Sequence, residues 1–181
     1  MLVLNNNKVA SAVENTEKIA ILQKLIQIKS VNGNEAAVAR YIASLFAPYG
    51  HQAKVEVVTY APGRDNLVVT IGAPEGQQLG FSGHEDVVAP GDISAWHHDP
   101  FAGEIVDGNL YGRGASDMKS GLAAVVIAML ELLEDNIALK GSIRLLATVG
   151  EETGEYGAAQ LTKGGYADQL AGLVIAEPTG L

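Results

Sequence analysis

The chain has 181 residues, with 12 lysines and arginines against 21 aspartates and glutamates, so its formal net charge is −9. Hydrophobic residues make up 48% and charged residues 18%, which is the composition of a globular protein rather than a disordered one. The negative charge argues against a nucleic-acid partner, because phosphates would be repelled. No cysteine is present, so disulfides, cysteine-bound zinc and thiol nucleophiles are excluded. Any metal ion must be held by carboxylates and by the 4 histidines.

At this length one domain can bury a sizeable core, and two full domains are not expected. The apolar run at residues 1–4 is too short for a signal peptide, and no later apolar stretch is long enough to span a bilayer. The sequence therefore predicts a cytoplasmic protein without a membrane partner.

Hydrophobic periodicity predicts helices and strands that alternate along much of the chain. In chain order these are helices over residues 16–30 and 35–46, strands over 54–60, 66–71 and 79–82, a helix over 120–134, a strand over 142–149, a helix over 155–163 and a strand over 172–176. Asn34 is placed to cap the second helix. Strands that are apolar on both faces and separated by helices indicate an α/β layered fold with a largely parallel or mixed sheet.

The segment over residues 89–114 is rich in proline, glycine and aspartate and predicts a long loop of functional character. Within it, residues 104–106 and 109–111 flank Asp107-Gly108, a pair typical of a β-hairpin turn. We therefore expect a short hairpin inside this loop.

Acidic and histidine residues follow three predicted strands and precede the helix over 120–134. These residues are His84, Asp86, Asp117, Glu151, Glu152 and Glu177. Because open α/β sheets bind ligands beyond their strand ends, we expect these groups to meet at one edge of the sheet. One histidine among several carboxylates predicts a site for a divalent metal ion.

Each of these residues also has a purely structural interpretation. His84 and Asp86 share a face of an extended strand and could form a surface pair, although Asp86 could instead orient the ring of a metal-bound His84. Asp117 could cap the following helix, and Glu151 and Glu152 could be a solvated strand end. A structural interpretation must explain each residue separately, whereas a metal site explains them together.

Other candidate residues are set aside on their context. His97 and His98 lie in a proline-containing loop, where paired histidines are usually exposed, and His51 has no acidic neighbour in the sequence. Gly112 and Gly114 match only part of a dinucleotide-binding fingerprint, because the third glycine is absent and no strand leads directly into them.

Five stretches together carry a family resemblance. They are GHEDVVAPGD (83–92), WHHDPF (96–101), DGNLYGRGASDMKSGLAA (107–124), ATVGEETG (147–154) and AEPTG (176–180). In order and approximate spacing they resemble the di-zinc metallopeptidase family of succinyl-diaminopimelate desuccinylase, acetylornithine deacetylase, aminoacylase and glutamate carboxypeptidase. The resemblance runs from about residue 16 to the end and is strongest to the desuccinylase-like deacylases.

The resemblance implies a three-layer α/β/α sandwich with a mixed sheet, present only in part, and two zinc ions, for which Co²⁺ or Mn²⁺ could substitute. It also implies a role for each candidate residue. His84 and Glu177 would bind one zinc, Glu152 the other, Asp117 both, while Asp86 would orient His84 and Glu151 would be the general base. A cis peptide is expected between Asp117 and Met118.

The implied reaction is metal-dependent hydrolysis of the amide in an N-acyl amino acid or a small peptide. Glu151 would take a proton from the attacking water and pass it to the leaving amine.

One departure from the family pattern is Glu85, which stands where a small, neutral or apolar residue is usual. On a strand its side chain is expected to point away from the site.

Members of this family are roughly twice as long as this chain. They insert a lid and dimerisation domain after the AEPTG region, and a returning segment then supplies a further histidine ligand. The resemblance thus implies that residues 1–181 are the N-terminal portion of the catalytic domain, without the lid and return segment. It implies little or no activity for this chain alone, and homodimers of the longer proteins through the lid domain. A non-catalytic metal-binding module on the same scaffold is the alternative.

Overall fold

The computed structural model describes residues 13–179, so the apolar run at 1–4 and the last residue of the AEPTG stretch lie outside the described part. The predicted helices and strands are all confirmed, and so is the hairpin. They are α1 (Asn15–Gln27), α2 (Glu35–Phe46), β1 (Ala53–Ala61), β2 (Arg64–Gly72), β3 (Gln78–His84), β4 (Glu104–Val106), β5 (Asn109–Tyr111), α3 (Ser120–Glu134), β6 (Ser142–Thr148), α4 (Tyr156–Lys163) and β7 (Leu170–Ile175).

Two details at the first helices differ from the prediction. α1 ends at Gln27 rather than at residue 30, because the chain turns there to meet the end of β3, where the Ser30 hydroxyl donates to Glu85 O at 2.7 Å. Asn34 occupies the N-cap position of α2, but its side chain makes no capping hydrogen bond and instead donates to Lys29 O.

The central sheet is mixed, as predicted. Its strand order is β1-β2-β6-β3-β7, with β2 antiparallel to both β1 and β6, and with β3 parallel to both β6 and β7. His84 lies opposite Thr148, and Ser82 lies opposite Ile175. The C-terminal ends of the three parallel strands therefore meet at one edge of the sheet, as the sequence predicts for the candidate residues.

Helices cover both faces of this sheet. Alternate residues of a strand point to opposite faces, and Leu67 and Leu145 enter the main core with α1, α2 and α3. Val68 and Leu146 enter a smaller cluster with Leu161 of α4 on the other face. The described residues thus form an α/β/α arrangement. Among them, no helix is long and apolar enough to cross a membrane.

Strand β7 is less buried than its sequence predicts. A run that is apolar on both faces is typical of a covered strand. However, β7 is the last strand in the sheet order, and Leu173, Val174 and Ile175 are 46%, 46% and 54% exposed. In residues 13–179, no strand pairs with its outer edge.

Gly121 sets the distance between α3 and the segment after β7. A Cβ atom at this position would lie 1.9 Å from the backbone oxygen of Ala176, which is far inside van der Waals contact. The absence of a side chain therefore allows the start of α3 to pack against the residue that precedes Glu177.

We predict that Gly121→Ala lowers the free energy of unfolding by about 1–3 kcal/mol, because overpacking against backbone outweighs a gain in helix propensity of at most about 1 kcal/mol. Urea denaturation measures the change. The matched control is Gly172→Ala in β7, whose Cβ would meet only Leu79 Cδ1, at an ordinary 3.6 Å. Equal stability of the two variants would show that the approach of α3 to Ala176 is not tightly packed.

Candidate metal centre

His84 presents one ring nitrogen to the edge of the sheet. The residue is 2% exposed at the end of β3, and its Nδ1 lies 2.9 Å from the backbone oxygen of Asp86. Because a carbonyl oxygen can only accept, Nδ1 carries the hydrogen and donates it. Nε2 is therefore the nitrogen that faces the neighbouring carboxylates.

Carboxylates from three other segments converge on His84 Nε2. Asp117 Oδ1 lies at 3.2 Å, Glu177 Oε1 at 3.5 Å and Glu151 Oε2 at 3.8 Å. Glu152 belongs to the same group. Each of the residues His84, Asp117 and Glu152 offers one ligand atom, and these three atoms lie within 4.8 Å of one another. The structure thus brings the predicted histidine and its carboxylates to one place.

Asp117 is held by a turn rather than by a helix. It belongs to a single π-type turn over Ala115–Lys119, and the peptide between Asp117 and Met118 is cis, as predicted. α3 begins only at Ser120, and its N-cap position is occupied by Lys119 without a side-chain capping bond. The alternative in which Asp117 caps the helix is therefore wrong.

Asp86 contacts more than His84. Its carboxylate was expected to orient the imidazole, but Oδ1 lies 3.5 Å from Nδ1, and the backbone oxygen of Asp86 makes the shorter contact. The two carboxylate oxygens instead accept the backbone N–H groups of Glu151 at 3.1 Å and of Glu152 at 3.2 Å. Asp86 thus ties the end of β3 to the segment that carries both glutamates.

Burial and charge shift the titration of this group. Burial alone would lower the pKa of His84, but the Asp86 carboxylate and Glu177 raise it to about 9. Burial would raise the pKa of Asp86, yet His84 and the backbone N–H of Glu151 lower it below its ordinary value. The pKa values of Glu152 and Glu177 are raised, first by burial and then by neighbouring carboxylates, although His84 acts to lower them.

The donor set fits a divalent metal ion. One imidazole nitrogen and several carboxylate oxygens are ligands that zinc accepts in proteins. Without a cation, a protonated His84 partly offsets the negative charge of the carboxylates. A metal ion at Nε2 would replace that proton, since only the neutral ring can act as a ligand.

The remaining histidines lie elsewhere, as predicted. His97 is exposed and lines a separate cavity of about 600 Å³ beside Trp96. His98 Nδ1 contacts Glu104 Oε2 at 2.8 Å, and its ring packs on Tyr111. His51 lines another cavity, beside the N-terminal ends of β3 and β6.

Two buried ionisable groups beneath the site were not predicted. Glu85 is 0% exposed, and within the described part of the chain neither carboxylate oxygen has a hydrogen-bond partner. Burial raises its pKa well above the ordinary value, and Glu35 and Asp86 raise it further. Lys119 is also 0% exposed. The only sequence signal was the unusual Glu85 between two site residues, and nothing marked Lys119 as buried.

We predict that Glu85→Gln stabilises the metal-free chain at neutral and higher pH. A raised folded-state pKa means that the contribution of Glu85 to stability is complete below its unfolded value, near 4.5, and is lost as the pH rises towards the folded value. The advantage of the variant should therefore grow above pH 4.5 by up to about 1.4 kcal/mol per pH unit.

Urea denaturation with a chelator present, at pH 5, 6, 7 and 8, measures this difference. Glu75→Gln, at an exposed position, is the matched control and should show no such trend. Parallel pH profiles for Glu85→Gln and the unaltered chain would contradict the prediction.

Comparisons with known proteins show the family to which this chain belongs. The model of peptidase family M20/M25/M40 matches residues 80–181, which is more than half of the chain. The chain belongs to peptidase family M20/M25/M40. It is 45% identical over 163 residues to a probable succinyl-diaminopimelate desuccinylase of Staphylococcus epidermidis, covering 90% of this chain and 40% of the relative. It is 43% identical over 140 residues to the succinyl-diaminopimelate desuccinylase of Thioalkalivibrio sulfidiphilus, covering 76% of this chain and 35% of the relative.

Solved structures of other proteins share the fold of this M20 chain. Human carnosine dipeptidase 1 superposes with a TM-score of 0.74 at 23% identity, over 88% of this chain and 38% of that one. The aminopeptidase PepT of Bacillus cereus superposes with a TM-score of 0.65 at 27% identity, over 82% of this chain and 40% of that one. The predicted fold class is therefore confirmed. The chain spans about 40% of the length of the desuccinylase relative in Staphylococcus epidermidis.

Proposed function

We propose that this chain supplies the metal-binding part of a zinc-dependent hydrolase that cleaves the amide of succinyl-diaminopimelate. The observation that carries the proposal is the convergence of Asp117, Glu151 and Glu177 within 3.8 Å of His84 Nε2, with Glu152 in the same group. The desuccinylase names of relatives that are 43–45% identical support the substrate.

The proposed centre takes two zinc ions, for which Co²⁺ or Mn²⁺ could substitute. His84 and Glu177 would hold one ion and Glu152 the other, and Asp117 would contribute to both. When bound, the metal would polarise the scissile carbonyl and lower the pKa of its bound water towards neutrality. Within residues 13–179 the second ion would have only Asp117 and Glu152 as ligands, so we expect the chain alone to hydrolyse little or no substrate.

Glu151 is the proposed general base. Its side chain is 42% exposed, so substrate and water can reach it, while its Oε2 lies 3.8 Å from His84 Nε2. Asp86 accepts the backbone N–H of Glu151 and so fixes the position from which the carboxylate acts. Glu151 accepts a proton from the attacking water and then donates it to the leaving amine, which restores the carboxylate.

A peptidase of the same family is the second candidate, because PepT of Bacillus cereus is 27% identical to this chain. Acetylornithine deacetylase and aminoacylase activities would use the same metal chemistry. A non-catalytic metal-binding module is the remaining alternative. In each enzymatic case the partner is a small molecule, and homodimers would form through a domain outside this chain.

The test is a chimaera in which this chain replaces the matching 163-residue segment of the Staphylococcus epidermidis relative. We predict that the chimaera hydrolyses succinyl-diaminopimelate. In the chimaera, Glu151→Gln should keep its zinc, measured by elemental analysis, but lose about 10²–10⁴-fold in kcat, because a general base contributes that much. Glu155→Gln, at an exposed position nearby, is the matched control and should leave kcat unchanged.

The other outcomes separate the alternatives. Unchanged kcat in Glu151→Gln would reject Glu151 as the base. A folded, zinc-loaded chimaera without turnover would favour the non-catalytic module. A second chimaera, built on PepT of Bacillus cereus, tests the peptidase alternative. Peptide hydrolysis by this second chimaera, with no activity in the first, would overturn the proposed substrate.

A further inference from the structure

Lys119 joins two distant parts of the chain in the protein interior. Its side chain is fully buried, and Nζ donates to Leu25 O at 2.7 Å and to Ile28 O at 2.8 Å. These carbonyls lie at the C-terminal end of α1, where a cation is favourable and backbone oxygens lack helical partners. Lysine is rarely buried completely unless it is paired, so this arrangement is a specific contact rather than incidental packing.

The residues just before Lys119 point to the metal centre. Asp117 Oδ1 lies 3.2 Å from His84 Nε2, and the sulfur of the buried Met118 accepts the backbone N–H of His84 at 2.9 Å. The backbone N–H of Lys119 donates to Gly114 O at 2.9 Å and closes the turn. Asp117 and Met118 therefore contact the ring and the backbone of His84, while Lys119 contacts the end of α1, and the anchors at Met118 and Lys119 define where Asp117 can lie.

The other end of this connection returns to His84. The Ser30 hydroxyl, just beyond α1, donates to Glu85 O at 2.7 Å, and the backbone N–H of Val87 donates to Ser30 O at 3.0 Å. Glu85 directly follows His84 in the chain. Lys119 thus closes a ring of contacts that runs from the Asp117 turn through the end of α1 to the strand end that carries His84.

We propose that Lys119 is a positioning residue of the metal centre, whose ammonium fixes Asp117 relative to His84 by tying the Asp117 turn to the end of α1. This inference rests on the proposed metal site. It assigns the ammonium an effect on the geometry of metal binding in addition to any effect on stability.

The test compares Lys119→Met with the unaltered chain, titrated with CoCl₂ well below the melting temperature of both. Co²⁺ reports both affinity and coordination geometry, the latter through its visible absorption. We expect Lys119→Met to stay folded, to bind Co²⁺ at least tenfold more weakly and to show an altered visible spectrum. Lys163→Met makes the same chemical change at an exposed position and should match the unaltered chain.

A rescue experiment separates charge from shape. Because the chain has no cysteine, Lys119→Cys introduces a unique thiol. Alkylation of the unfolded variant with 2-bromoethylamine restores an ammonium at nearly the lysine length, whereas iodoacetamide adds a neutral group. After refolding, the aminoethylated protein should regain Co²⁺ affinity and spectrum, and the carbamidomethylated protein should not. The unaltered chain is carried through the same unfolding and refolding.

Three results would overturn the inference. Unchanged Co²⁺ affinity and spectrum in folded Lys119→Met would leave Lys119 with a purely structural role. Equal Co²⁺ binding by the two refolded alkylated proteins would show that the ammonium does not act on metal geometry, and this comparison decides the question if Lys119→Met does not fold. Failure of the unaltered chain to bind Co²⁺ more tightly than Asp117→Asn would instead contradict the proposed metal site, and this inference with it.

Discussion

The parallel pairing of β3 with β6 and β7 is the constraint on which the candidate centre depends. Parallel strands place their C-terminal ends at the same edge of a sheet, so segments far apart in sequence deliver their next residues to one place. His84 is the last residue of β3, Glu151 follows β6 and Glu177 follows β7. The antiparallel strands β1 and β2 extend the sheet on its other side and contribute to the core instead.

Carboxylates this close together repel one another unless positive charges lie nearby. The structure places such charges both within the site and beneath it. Within the site, the raised pKa of His84 keeps a positive charge among the acidic groups until a metal ion takes its place. Beneath, the buried Lys119 and the Arg64–Glu35 ion pair, in which Arg64 Nη2 lies 2.6 Å from Glu35 Oε1, place two cations near Asp86 and Glu85. The acidity of the chain is thus partly a property of its site.

Much of this fold could be predicted from the sequence, because apolar periodicity and turn residues are local signals. The convergence of His84 with the carboxylates could be predicted as well, since it needs only the position of each residue at a strand end or, for Asp117, before α3. Contacts between distant segments could not be predicted from the sequence. The early end of α1, the attachment of Asp86 to the backbone of Glu151 and the burial of Lys119 each depend on hydrogen bonds across 55 or more residues. Likewise, the exposure of β7 depends on its place in the sheet order, which its own sequence does not encode.

The central claim is that these strand ends form a metal centre around His84. Anomalous diffraction at the zinc absorption edge, from crystals of the chain grown with ZnCl₂, tests it most directly. We predict the strongest anomalous peak at about 2.0–2.2 Å from His84 Nε2 and from a carboxylate oxygen of Asp117. A strongest peak beside His98 and Glu104, with none next to His84 Nε2, would contradict the claim.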